Sequence, residues 1–87
     1  MKQLILNEEG KEIGYYLMDE KDGGIQMDML WIYEEHRGKG YGTKTVKELL
    51  EKYDFIKAPV DGTRPIQFWK RFNPKITEDF YNIHITK

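Results

Sequence analysis

Three glycines fall within five residues, Gly38-Lys39-Gly40-Tyr41-Gly42, separated from the apolar run Met29 to Tyr33 only by Glu34-Glu35-His36-Arg37. Beyond them Val46, Leu49, Leu50 and Tyr53 lie at i, i+3, i+4 and i+7, one apolar stripe on a helix. A strand, a glycine-rich turn and a helix in succession narrow the folds open to the chain. Glycines permit the tight reversal and let a ligand come close to the backbone. The helix adds its unpaired first-turn N–H groups and the positive end of its dipole. No Ser, Thr, Asp or Asn caps the helix within the glycine segment ahead of Thr43, as expected where a ligand takes those donors. The segment is predicted to bind an anionic group, a pyrophosphate.

The flanking sequence supplies a sheet. Lys2 to Asn7 reads as a strand, Asn7 to Gly10 as a hairpin turn, and Glu12 to Met18 as a second strand. Asp19 to Gly24 reads as the next turn. In Ile25 to Tyr33, Ile25, Met27, Met29 and Trp31 alternate with Gln26, Asp28, Leu30 and Ile32. Both sets turn apolar towards the end, the pattern of a strand covered on two faces. The helix over Thr43 to Tyr53 carries the opposite-charge pairs Lys44–Glu48 and Glu48–Lys52 on its wet side. Asp54 to Val60 reads as a fourth strand, parallel to the third because a strand–helix–strand crossover is right-handed. Asp61-Gly62 is a turn, Pro65 opens a second helix with Ile66, Trp69 and Phe72 on one face, and Asn73-Pro74 stops it. Ile76-Thr77 and Phe80 to Thr86 close the sheet. The expected fold is α/β (α+β), a small mixed sheet in the order β-β-β-α-β-α-β.

At 87 residues the chain is read as one domain over 1–87 with a modest core. The absence of cysteine excludes disulfides, thiolate nucleophiles and Cys-based metal sites, and no metal site is expected. The start, Met1 to Asn7, turns acidic at Glu8-Glu9 unlike a leader, and Met29 to Tyr33 is too short to span a bilayer. A cytoplasmic protein with no membrane partner is expected. With 14 basic and 15 acidic side chains the net charge is -1, which argues against nucleic acid as a partner. Lys57, Arg64, Lys70 and Arg71 form a basic cluster, but no stacking motif accompanies it.

Two nucleotide motifs miss. In a phosphate loop Thr43 stands where the second glycine belongs, and GxGxxG fails because Lys44-Thr45 follow Gly42. Arg37-Gly38-Lys39-Gly40-Tyr41-Gly42 fits Arg-x-x-Gly-x-Gly and resembles the acetyl-coenzyme A loop of the GNAT superfamily of N-acetyltransferases. Met29 to Gly42 is similar to that family's fourth strand entering its loop, with Glu34 in place of a common proline. Phe68-Trp69-Lys70-Arg71-Phe72-Asn73-Pro74 is similar to its "FYEKLGF" segment.

The resemblance implies a cofactor, acetyl-coenzyme A as acetyl donor, lying between two parallel strands that splay apart. Leu30, Trp31 and Ile32 would offer backbone groups to the pantetheine arm, and Arg37, Gly38, Lys39, Gly40, Tyr41, Gly42 and Thr43 would hold the pyrophosphate. A backbone amide near Ile32 would meet the thioester carbonyl. The acceptor amine must lose a proton. Asp28 is the expected base, placed on the face of Leu30 by alternation; Gln26 sits near a glutamate of some relatives but is an amide, and His36 is a second candidate. Trp69 stands at the family's acidic tyrosine, where an indole cannot protonate a thiolate; it is left to pack on the pantetheine or fill the core. Tyr33, Tyr53 and Tyr81 are the substitutes.

Family members begin with a strand and two helices that build much of the acceptor site, and this chain resembles a short version starting at the second strand. The acceptor wall is then expected from another copy, a homodimer, or from a partner, unless the site is open. The resulting expectation is an N-acetyltransferase acting on a primary amine, small molecule or peptide. The alternative is a non-catalytic coenzyme A-binding or protein-interaction module of the same fold.

Overall fold

The computed structural model describes residues 1–59, 66–72, 74 and 82–86. The proposed turn at Asp61-Gly62, Pro65, Asn73, Ile76-Thr77 and Phe80-Tyr81 lie outside the described residues, as does Arg64. Five strands form one mixed sheet in chain order: β1 (Lys2–Leu6), β2 (Glu12–Lys21), β3 (Gly24–Ile32), β4 (Phe55–Pro59) and β5 (Asn82–Thr86). Helix α1 (Tyr41–Lys52) joins β3 to β4, and the short α2 (Ile66–Lys70) lies between β4 and β5. All neighbours pair antiparallel except β3 and β4, which run parallel across the crossover.

The first turn is held by Asn7, whose Oδ1 accepts from the N–H groups of Glu9 at 2.9 Å and Lys11 at 3.0 Å. The second is tighter than the six residues expected. β2 continues to Lys21, β3 starts at Gly24, and Asp22 and Gly23 turn the chain with φ of 44° and 89°. Two positive φ values in a two-residue loop suit the twist of a hairpin.

The core is built on one face of the sheet. Partners directly across a ladder share a face. Leu30 and Ile32 are 2 % exposed opposite Tyr16 and Gly14, and Met27 is 1 % exposed opposite Met18. The face continues through Ile56 and Ala58 of β4 and Ile83 and Ile85 of β5, all buried. Helix α1 lays Val46 and Leu49 upon it, with Leu50 and Tyr53 half-buried beside them, so the predicted stripe is the buried one. The opposite face carries Leu4, Tyr15, Leu17, Met29 and Trp31, none of them buried.

Strand β3 departs from simple alternation. Leu17 pairs with Met29 while the adjacent Met18 pairs with Met27, which makes Asp28 the extra residue of a β-bulge. The bulge moves the inward set from odd positions (Ile25, Met27) to even ones (Leu30, Ile32). That slip, rather than cover on both faces, makes both sequence sets look apolar. The wet-side pairs expected on α1 also differ: Lys44 Nζ lies 3.9 Å from Glu8 of the first turn, and Glu48 faces the Tyr16 hydroxyl.

Candidate functional site

The residues after β3 make a tight 3-10 turn at Glu34–His36. It delivers Arg37 back under the strand it left. Arg37 Nε donates to the Ile32 carbonyl at 2.8 Å, and the guanidinium carbon sits 4.4 Å from the Trp31 ring centroid. Gly38 and Gly40 then take φ of 78° and 83°, the left-handed region that a side chain penalises. A Cβ built on either would meet nothing within 4 Å, so the backbone conformation, not crowding, requires glycine.

Gly40 is the N-cap of α1 and offers no side-chain hydrogen bond to the helix, as the sequence implied. Its carbonyl accepts from Lys44 N at 3.0 Å, so regular helix bonding begins there. The N–H groups of Gly38 through Thr43 meet no backbone acceptor among the described residues. Helix α1 starts two residues earlier than expected. Gly42 therefore belongs to its first turn and is buried, leaving Gly38 and Gly40 as the turn glycines.

An open cleft of about 170 Å³ faces these amides, lined by the glycine turn and by Ile32, His36, Arg37, Tyr41, Phe68 and Arg71. Arg71 Nη1 donates to Thr43 Oγ1 at 2.8 Å, and its guanidinium carbon lies 5.1 Å from the Phe68 ring centroid. No acidic residue occupies the first turn of α1. Neither Arg37 nor Arg71 forms an ion pair among the described residues. His36 lies against the cleft with a buried Nε2 that has no hydrogen-bond partner and sits 3.9 Å from a Glu35 oxygen. Amides without a backbone acceptor, a helix N-terminus and two guanidinium groups without an ion pair among the described residues form a set of donors chemically suited to an anion.

A second feature adjoins it. The parallel ladder between β3 and β4 consists of Ile25 with Ile56 and Gln26 with Lys57. Beyond Gln26, β3 runs on to Ile32 without a β4 partner in register, and the strands part there. The opened stretch ends at Ile32, and the 3-10 turn at Glu34–His36 leads from there to the glycine turn.

The structure brings together most of the expected binding residues and separates others. Ile32, Arg37, Gly38, Gly40, Tyr41, Gly42 and Thr43 all line the cleft, whereas Lys39 is exposed outside its lining. Leu30 is buried and Trp31 is 37 % exposed on the open sheet face. Trp69 is 3 % exposed in the core, 5.0 Å from the Phe68 ring and 6.4 Å from Phe72, and does not line the cleft. Its neighbour Phe68 takes that place. Asp28 is exposed at the bulge and Leu30 is buried, so the face-sharing expected from alternation does not hold. Gln26 Nε2 donates to Asn82 Oδ1 at 3.1 Å, across the strand between them.

Of the substitute tyrosines, Tyr33 donates its hydroxyl to Glu12 and Tyr53 donates to Glu20 at 2.7 Å. Those hydrogen bonds are the first cause holding both phenols above their ordinary range, and neither residue lines the cleft. Tyr81 lies outside the described residues. Arg71 and Phe68 were missed as site residues. Their place in the site depends on how α2 and the residue after it pack near Thr43, which no local pattern in the sequence gives.

Three comparisons bear on the chain. The model of the acetyltransferase (GNAT) family matches residues 2–58. No curated protein matches it. Among solved structures, an acetyltransferase from Bacillus cereus ATCC 14579 is 20% identical with a TM-score of 0.73, covering 100% of this chain and 72% of its own. A GNAT family N-acetyltransferase (YhbS) from Escherichia coli in complex with CoA is 18% identical with a TM-score of 0.69, over 98% of this chain and 57% of its own. Tetrahymena GCN5 is 14% identical with a TM-score of 0.63, over 98% of this chain and 66% of its own. At such identities these likenesses show the fold. No helix among the described residues is long and apolar enough to cross a membrane.

Proposed function

The chain belongs to the acetyltransferase (GNAT) family, and on that premise we propose that it binds acetyl-coenzyme A and passes its acetyl group to a primary amine. The observation that carries this reading is the run of N–H groups from Gly38 to Thr43 that meet no backbone acceptor among the described residues, beside a cleft lined by Gly38, Gly40, Tyr41, Gly42 and Thr43 with no carboxylate among its described lining residues. Those donors suit a diphosphate, and Arg37 is set beside them with its Nε already fixed by Ile32. The bound cofactor supplies the acetyl group as a thioester. The stretch of β3 past Gln26, freed from β4, offers main-chain groups to an extended ligand as an added strand does.

The acceptor amine has to lose a proton before it attacks. Asp28 is the residue we assign to receive it: an exposed carboxylate at the bulge, two positions past the last β3–β4 pair. A bulge is a common device for re-aiming a side chain beside a functional site. Titration of the purified chain with acetyl-coenzyme A tests the binding. Saturable heat with thermal stabilisation supports it, and no interaction at millimolar cofactor overturns it. Thiol release across a panel of amines tests the transfer, and Asp28→Asn is expected to slow it without weakening cofactor binding.

A second reading has its own observation. Trp69, at the position where the family resemblance expects an acidic tyrosine, is sealed in the core. Tyr33 and Tyr53 are committed to carboxylates elsewhere. A module that holds coenzyme A without turnover is consistent with that. Binding without thiol release across the whole panel selects it.

A further inference from the structure

Arg71 is a cation with no charge partner among the described residues. It follows α2 and reaches across to the first turn of α1, where Nη1 donates to Thr43 Oγ1 at 2.8 Å. That end of a helix carries the equivalent of about half a positive charge, so a guanidinium beside it is repelled rather than attracted. Arg37 lines the same cleft and adds a second positive charge. The described residues offer no compensating carboxylate: Arg71 has no ion pair, and the first turn of α1 contains no acidic side chain. A neutral hydroxyl and the face of Phe68, 5.1 Å from the guanidinium carbon, hold the group in place. Such an arrangement costs free energy in the free protein and becomes favourable once an anion enters between the charges.

We propose that Arg71 is a phosphate-binding residue, a second cation that meets the cofactor's phosphates beside Thr43 at the first turn of α1. This rests on the coenzyme A reading and adds to it a contact from the residue that follows the second helix. The glycine turn supplies main-chain amides to the cleft, and Arg71 adds a fork of donors, of which the Thr43 bond uses one nitrogen. Phe68 restricts the side chain by stacking, so less rotamer freedom remains to be lost on binding. Of the basic cluster noted in the sequence, Arg71 is the one member among the described residues that lines this cleft.

The test is calorimetric titration of the full chain with acetyl-coenzyme A and with its 3′-dephospho form, on wild type, Arg71→Gln and Arg71→Lys. Arg71 is exposed, so both variants are expected to fold, and a thermal melt without ligand checks it. Arg71→Gln is expected to weaken binding roughly 10- to 100-fold, the range for a lost charge-assisted hydrogen bond, with partial recovery in Arg71→Lys. An equal loss for both ligands puts Arg71 on the diphosphate, and a loss confined to the full cofactor puts it on the 3′-phosphate; either supports the proposal. Unchanged affinity for both ligands in Arg71→Gln overturns it while leaving the cofactor reading intact. Failure of wild type to bind either ligand overturns the cofactor reading itself.

Discussion

The carbonyl of Ile32, the last residue of β3, accepts a hydrogen bond from Arg37 Nε at 2.8 Å. The bond loops the chain back onto the strand it has just left and fixes where the glycine turn begins. The guanidinium also lies over Trp31, so both contacts that tie the turn to β3 depend on one side chain. Lysine at this position keeps the charge and loses the Nε–H and the planar stacking surface. Arg37→Lys is therefore expected to lower stability by about 1–2 kcal/mol, combining one hydrogen bond with an exposed cation–π contact. Urea denaturation measures it; an unchanged midpoint contradicts the role given to Arg37.

Gly40 holds the N-cap of α1 at φ 83° with free space around its Cβ position. The penalty for a side chain there is one of backbone conformation, on the order of 1–2 kcal/mol for alanine. Asparagine tolerates the left-handed region better and supplies a cap. Gly40→Ala is expected to lose more stability than Gly40→Asn, by chemical denaturation. Equal losses show that the conformation at Gly40 is not what glycine provides.

Much of this fold was legible in the sequence because its signals are local. The turn residues at Asn7 and Gly10, the helical stripe from Val46 to Tyr53 and the uncapped glycine segment each act within a few residues of themselves. Asp28 was not legible in the same way. A bulge is decided by the partner strand, where Leu17 and Met18 skip from Met29 to Met27, and alternation read along β3 alone carries the wrong parity past that point. Trp69 was ambiguous for a related reason. Its helix presents Phe68, Trp69 and Phe72 close together, and only tertiary packing decides which ring lines the cleft and which fills the core. Arg71 belongs to a site only because α2 docks near Thr43, a contact between residues 28 apart in sequence.

Gly14 sits opposite Ile32 on β2, and a Cβ there would lie 2.2 Å from the Trp31 carbonyl oxygen. The obstruction is backbone, which cannot swing aside as a side chain does. Gly14→Ala must therefore push β2 and β3 apart along the stretch that carries Leu30 to Ile32. A loss of about 1–3 kcal/mol is expected, the usual cost of overpacking. Amide chemical-shift changes should concentrate at Trp31 and Ile32. A variant as stable as wild type with unshifted resonances there contradicts the close approach.

Tyr16 links the helix to the sheet through its ionisation. Burial first, and the Glu48 carboxylate second, raise its phenol above the ordinary 10.0. Tyr33 and Tyr53 are raised as well, each first by its hydrogen bond to a glutamate. In every case the folded protein holds the proton more tightly than the unfolded chain, so the unfolded state binds fewer protons once the pH passes the unfolded value. Stability then falls with rising pH. The contribution is complete below about pH 10 and is lost as the pH climbs through the folded values. The urea midpoint is expected to decline as the pH rises above about 10. Tyr16→Phe should flatten part of that decline and relieve a minor part of the shift at Tyr53, to which Tyr16 contributes, while leaving Tyr33 untouched. A wild-type midpoint that is constant over this window, or a Tyr16→Phe profile superimposable on wild type, contradicts the assignment.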